Sequence, residues 1–156
     1  MIIFRNFGFV AIDPEYQSQI QHKVVEYHLP GKVLHIGNEL YLMAESLFDQ
    51  ETGIPNAIHN AISECDKDIR NLLFENIVLS GGSTSLSGFE NRITKELVLL
   101  EDPKTKINVI QSEDPQFSAW RGGAILASSP NFYQMSVSRA DYEEFGPSAI
   151  NCLSVY

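Results

Sequence analysis

Residues 76–97 constrain the fold more than any other stretch of the chain. An apolar run, Ile77-Val78-Leu79, leads into Gly81-Gly82 and leaves through Ser83, Thr84 and Ser85. Leu86, Phe89, Ile93 and Leu97 then recur at the period of an α-helix with one buried face. A strand, a two-glycine turn and a helix in that order form a unit typical of α/β folds. Ile77–Leu79 has no polar residue at alternate positions, so it reads as a central strand covered on both faces. Ser87 with Glu90 three places on has the spacing of a capping box, which predicts Ser87 as the helix N-cap.

The rest of the chain supplies partners for this unit. Residues 7–12 read as a buried strand that Asp13-Pro14 ends, because proline biases its predecessor away from helix. Residues 24–29 and 32–36 are β-branched and aromatic runs on either side of Pro30-Gly31, a hairpin signal. Gly37-Asn38 marks another turn, residues 39–43 read as a third short strand, and Ala44 to Phe48 as a helical turn. Ile54, Ile58, Ile62, Cys65, Ile69 and Leu72 fall on one helical face, which Asp66 divides into two helices as an N-cap. Residues 106–110 read as a strand and 115–128 as a helix with small residues at Gly122, Gly123 and Ala124. Ser138 is placed to cap a short helix that Gly146 ends.

Size and charge narrow the function classes. A chain of 156 residues suits one domain with a sizeable core. Its formal net charge is −9, and no basic stripe relieves it, so a phosphate backbone would be repelled and nucleic acid is not an expected partner. No apolar run reaches the roughly 20 residues of a membrane span. Met1 to Arg5 show no basic region followed by a long apolar core, so no signal peptide is expected. Two isolated cysteines, Cys65 and Cys152, fit a reduced intracellular setting.

The motifs that carry chemistry are few. Glycines let a backbone come close to a ligand, and the free N–H groups at a following helix start favour an anion. Gly81-Gly82 is not a Walker loop, since no Gly-Lys-Ser/Thr follows. His22, His28, His35 and His59 do not pair with other ligands at metal-binding spacing, so no metal site is expected. Glu64, Asp66 and Asp68 read as capping or solvated carboxylates, and no nucleophile elbow is present.

Four separated stretches resemble the actin and actin-related protein family. They are "HIGNELYLMAESLF" (35–48), "CDKDIRNLLFENIVLSGGSTSLSGF" (65–89), "FSAWRGGAILAS" (117–128) and "YEEFGPS" (142–148). They occur in family order with near-family spacing, and the resemblance runs from about Phe9 to Ser148. It implies an α/β, ribonuclease-H-like fold. It implies the large lobe in particular, a mixed sheet flanked by helices without the N-terminal lobe. The whole of residues 1–156 would be one truncated domain, with a core over about 1–112 and C-terminal helices and tail over about 113–156.

The resemblance also implies a function. The family's first phosphate hairpin, of the Asp-x-Gly-Ser-Gly type, its second phosphate loop and its metal-linked aspartates have no counterpart in these residues. The chain by itself is therefore expected not to be an enzyme, since phosphoryl transfer depends on positioned charge around a metal-bound phosphate. Gly81, Gly82 and Ser83 match residues that lie against the adenosine and its first phosphate. Gln116 stands at a lysine beside the adenine, Leu86 at a tyrosine and Ser85 at a methionine, and Phe4 and Arg5 near an expected Lys-Glu pair. The pocket is thus degenerate. No cofactor is expected, with ATP at Gly81, Gly82, Ser83 and Gln116 the alternative. The glycines are then retained for the geometry of the turn.

Trp120, Ile125, Leu126, Phe132 and Met135 match an apolar groove that receives partner helices, altered by Arg121 and Ser136. Ile125 and Leu126 as simple core residues are the competing reading. Between Phe48 and Ile54 the family carries a longer apolar loop that joins filament strands. Here Asp49 to Gly53 is short and polar, so a homopolymer is not expected. The expectation is a non-catalytic structural subunit of a larger protein assembly, cytoplasmic and cytoskeleton-associated, with actin or another actin-related protein among the candidate partners. The alternatives are a fragment or split half of a nucleotide-binding actin-related protein, and a protein that binds an actin filament end.

Overall fold

The computed structural model describes residues 2–20 and 24–152. These form two compact units, Met1–Phe117 and Ser118–Tyr156. Elements run in the order α1 (Ile2–Phe7), α2 (Pro14–Gln19), β1 (Val25–Leu29), β2 (Lys32–Ile36), α3 (Glu39–Glu45), α4 (Ile54–Ser63), α5 (Lys67–Phe74), β3 (Ile77–Leu79), α6 (Phe89–Leu100) and β4 (Val109–Gln111) in the first unit. The second unit holds α7 (Ser118–Ala127), α8 (Arg139–Phe145) and α9 (Ala149–Cys152).

The core of the first unit gathers around α6. Phe89, Ile93 and Leu97 are fully buried on one helix face, and Leu86 joins them from the preceding turn. Phe48, Ile62, Phe74, Ile77, Leu79 and Val109 close the cluster from α4, α5, the two short strands and the turn after α3. The helical period read from the sequence over residues 86–97 is therefore the real organising face. Apolar burial contributes roughly 1.5–3 kcal/mol per large side chain, so this helix face is a substantial source of stability in the unit.

Among the described residues the strands form two separate pairs, not one mixed layer. β1 and β2 are an antiparallel hairpin with Leu29 opposite Lys32, as the Pro30-Gly31 signal predicts, and Gly31 takes φ 82. β3 and β4 are parallel, with Ile77 opposite Val109 and Leu79 opposite Gln111. β4 thus begins three residues later than the run from 106 suggests.

Several expectations are corrected. Residues 7–12 do not form a strand. α1 ends at Phe7, and the chain then runs extended, joined to the core by one isolated parallel bridge between Phe9 and Ser87. Val10 donates to the Ser87 carbonyl at 2.8 Å and Phe9 to the Leu40 carbonyl at 3.2 Å, so Val10 is buried and Phe9 half-buried without a ladder. Residues 39–43 belong to helix α3. Leu40, Tyr41 and Ala44 are buried while Leu42 and Met43 face solvent, which is a helical spacing and not an alternating one. The Ile69 and Leu72 side chains are exposed, and α5 instead turns Phe74 into the core. Asp66 stands at the N-cap position as expected, without a side-chain cap bond. Val78 is 69% exposed, so β3 is covered on one face only.

The first unit ends with a 3-10 turn, Pro115–Phe117, and the second begins at once with α7. Ser138 caps α8: its hydroxyl accepts the Asp141 N–H at 3.1 Å, and Asp141 returns the bond to the Ser138 N–H at 3.2 Å. Gly146 ends the helix at φ 62, and a further short helix, α9, follows.

Candidate functional site

The glycine turn follows β3 directly. Gly81 takes φ 104, and residues Gly82–Ser85 form one 3-10 turn. Three bonds hold this shape. The Gly81 N–H donates to the Pro115 carbonyl at 2.8 Å, the Thr84 hydroxyl donates to the Gly81 carbonyl at 2.8 Å, and the Gln111 amide donates to the Thr84 carbonyl at 2.8 Å. Thr84 is buried, whereas Gly82 and Ser83 are exposed. The turn lies beside the 3-10 turn that carries Gln116, so the structure brings Gly81, Gly82, Ser83 and Gln116 into one neighbourhood.

The two glycines differ in what the backbone asks of them. At Gly81 the positive φ excludes most side chains. At Gly82 the backbone is not left-handed and an added Cβ would meet nothing within 4 Å. The backbone geometry expected to explain both glycines therefore explains only Gly81. Gly82→Ala should leave stability within about 0.5 kcal/mol of the parent, as at ordinary surface positions. Gly81→Ala should lose about 1–3 kcal/mol to backbone strain. Urea unfolding of the two variants side by side checks the contrast.

The helix after the turn starts differently from the sequence expectation. Gly88, at φ 85, is the N-cap of α6, and no side chain caps it. Ser87 is engaged one residue earlier in the bridge to Phe9, and its carbonyl is taken by Val10. A Cβ on Gly88 would lie 2.5 Å from the Val10 carbonyl oxygen, so the helix start and the extended segment touch backbone to backbone.

Two clefts flank this helix start. One, of 360 Å³, is lined by Ser85, Ser87, Glu90, Gln111, Ser112 and Glu113 among others. The other, of 560 Å³, lies between α2 and α6 and includes Phe9, Ile12, Tyr16, Gln17 and Asn91. Gly81, Gly82, Ser83 and Gln116 line neither. The charged side chains on the first cleft, Glu90 and Glu113, are both acidic, which opposes a phosphate there. The side chains of Phe4 and Arg5, and all of His22, lie outside the described residues. Among the described residues no three His, Cys, Asp or Glu side chains come together to hold a metal ion.

The residues matched to the partner groove all lie in the second unit and all are exposed. Trp120 and Ile125 are each 72% exposed, and Leu126, Phe132 and Met135 also face solvent. α7 carries the first three and a 3-10 turn, Phe132–Met135, the other two. The Ser129 N–H bonds the Leu126 carbonyl and the Phe132 N–H bonds the Ser129 carbonyl, which ties the turn to the end of α7. Gly122 and Gly123, which suggested close packing of another element, have open space where a Cβ would stand. Among the described residues of this unit only Ala149 is buried. The reading of Ile125 and Leu126 as core residues is therefore not what the structure has.

One cluster went unread in the sequence. Arg92, 5% exposed, donates through Nε to Glu96 at 2.6 Å and through Nη1 to the Ala11 carbonyl at 2.5 Å, and its Nη1 lies 3.2 Å from a Glu45 carboxylate oxygen. Its guanidinium also stands 4.9 Å from the centre of the Phe48 ring. Burial raises the Glu45 carboxyl above its ordinary range, against the lowering effect of Arg92. The signal was the Arg-Glu pair four residues apart, which also fits a solvated helix face.

The short polar segment Asp49–Gly53 is closed on itself. One Asp49 carboxylate oxygen accepts the N–H groups of Glu51 and Thr52 and the Thr52 hydroxyl, which holds the Asp49 carboxyl below its ordinary range. A family model described as Actin matches residues 6–154 of the chain.

Proposed function

The chain belongs to the actin family, and on that premise we propose that it is a non-catalytic subunit of a larger protein assembly, held there by its second unit. The observation that carries this reading is the burial pattern of residues 118–152. Trp120, Ile125, Leu126, Tyr133 and Phe145 face solvent, while among the described residues of the unit Ala149 alone is buried. A helical segment of this size with no core of its own cannot repay the entropy of ordering its backbone. Exposed apolar surface of this kind marks a protein interaction site. The partner is a protein, with actin or another actin-related protein as the leading class and the cytoskeleton as the setting. The fold that accompanies this reading is the ribonuclease-H-like large lobe of the family.

Adenine nucleotide is not part of this reading. The turn at Gly81, Gly82 and Ser83 is open, Gln116 brings no positive charge beside it, and the carboxylates of the adjacent cleft oppose phosphate. Without convergent polar partners an exposed turn holds a small molecule weakly. No helix of the described residues is long and apolar enough to cross a membrane. The short stub at Asp49–Gly53 leaves little apolar area for a filament contact, which disfavours a homopolymer.

Gly82 favours a second reading. A glycine that neither a positive φ nor a close neighbour requires is suited to a surface that another group approaches closely. In that reading the chain is one half of a nucleotide-binding actin-related protein, and another polypeptide brings the phosphate loops.

Leu126→Asp tests the first reading. Leu126 is exposed, so the substitution should leave the circular dichroism spectrum unchanged. It should also cut co-purification with partner proteins at least about tenfold, the consequence of losing about 1.4 kcal/mol or more of binding. Undiminished co-purification of the folded variant would place the interface elsewhere.

A further inference from the structure

We draw no further inference here: the strongest candidate, the outward apolar face of the two-stranded β3–β4 sheet where Val78 and Ile110 are exposed opposite one another, is unpartnered and nothing in the structure shows what covers it.

Discussion

An Arg92→Met variant is expected to lose about 3–5 kcal/mol of stability at neutral pH, the range for removing one member of a buried charge cluster. Arg92 stabilises the carboxylates of Glu45 and Glu96 and also satisfies the Ala11 carbonyl. Methionine fills similar volume but leaves those groups without their donor. With total stability of about 5–15 kcal/mol, such a loss is a large fraction of the whole.

The pH dependence has a definite sign. The Glu45 carboxyl is already raised above 4.5 by burial, and Arg92 is what lowers it. Without Arg92 it rises further. A raised carboxyl destabilises the folded state while it is ionised, and that cost disappears as pH falls through its folded value. The gap between variant and parent should therefore narrow as the pH is lowered toward the ordinary glutamate value of 4.5. A triple variant with Glu45 and Glu96 also replaced by methionine should recover much of the loss, since a buried ion cluster is often matched by apolar residues of like volume. Urea titrations of the three proteins at several pH values decide this. An Arg92→Met protein as stable as the parent would show that the cluster contributes nothing.

Gly88→Ala is expected to be at least as damaging, beyond about 4 kcal/mol, the range reserved for specific structural faults. Two effects add. The residue sits at φ 85, where an alanine is strained, and the new methyl would lie 2.5 Å from the Val10 carbonyl oxygen. Val10 cannot simply retreat. It is buried, and its N–H is bonded to Ser87 at 2.8 Å. Relief therefore requires the extended segment to leave α6, which removes Val10 and Ala11 from the core and strains the Arg92 bond to Ala11. The Gly82→Ala protein is the control. If Gly88→Ala unfolds at the same urea concentration as Gly82→Ala, the backbone contact at the start of α6 is wrong.

The features legible in the sequence were those decided within a few residues. Ser138 and Asp141 close the α8 cap because both partners lie in one helical turn, and Gly146 ends that helix by its own backbone freedom. The Pro30-Gly31 hairpin is equally local, with register set by the turn. The α6 face was legible because its period is carried by large apolar residues over three turns.

What stayed hidden depends on distant partners. Ser87 has the spacing of an N-cap, but Phe9, far away in sequence, takes it into a bridge and passes the cap to Gly88. Residues 40–43 are an unbroken run of large apolar and aromatic side chains, and only burial of Leu40, Tyr41 and Ala44 selects helix over strand. Val78 differs in no local way from Ile77, yet one faces water and the other the core. In the candidate site, the resemblance drew attention to Gly81, Gly82, Ser83 and Gln116, which the fold does gather. The bonds that hold the turn come from Thr84, inside the quoted stretch but given no role there, and from Gln111 and Pro115, which no motif covered.

Native mass spectrometry of the protein isolated from its own cells tests the central proposal most directly, because one spectrum reports both bound proteins and bound nucleotide. The proposal predicts this chain in a defined complex with other proteins, dissociating on activation to a subunit that carries no added mass of ATP or ADP. A free chain without bound proteins, or a chain carrying stoichiometric adenine nucleotide, would contradict it.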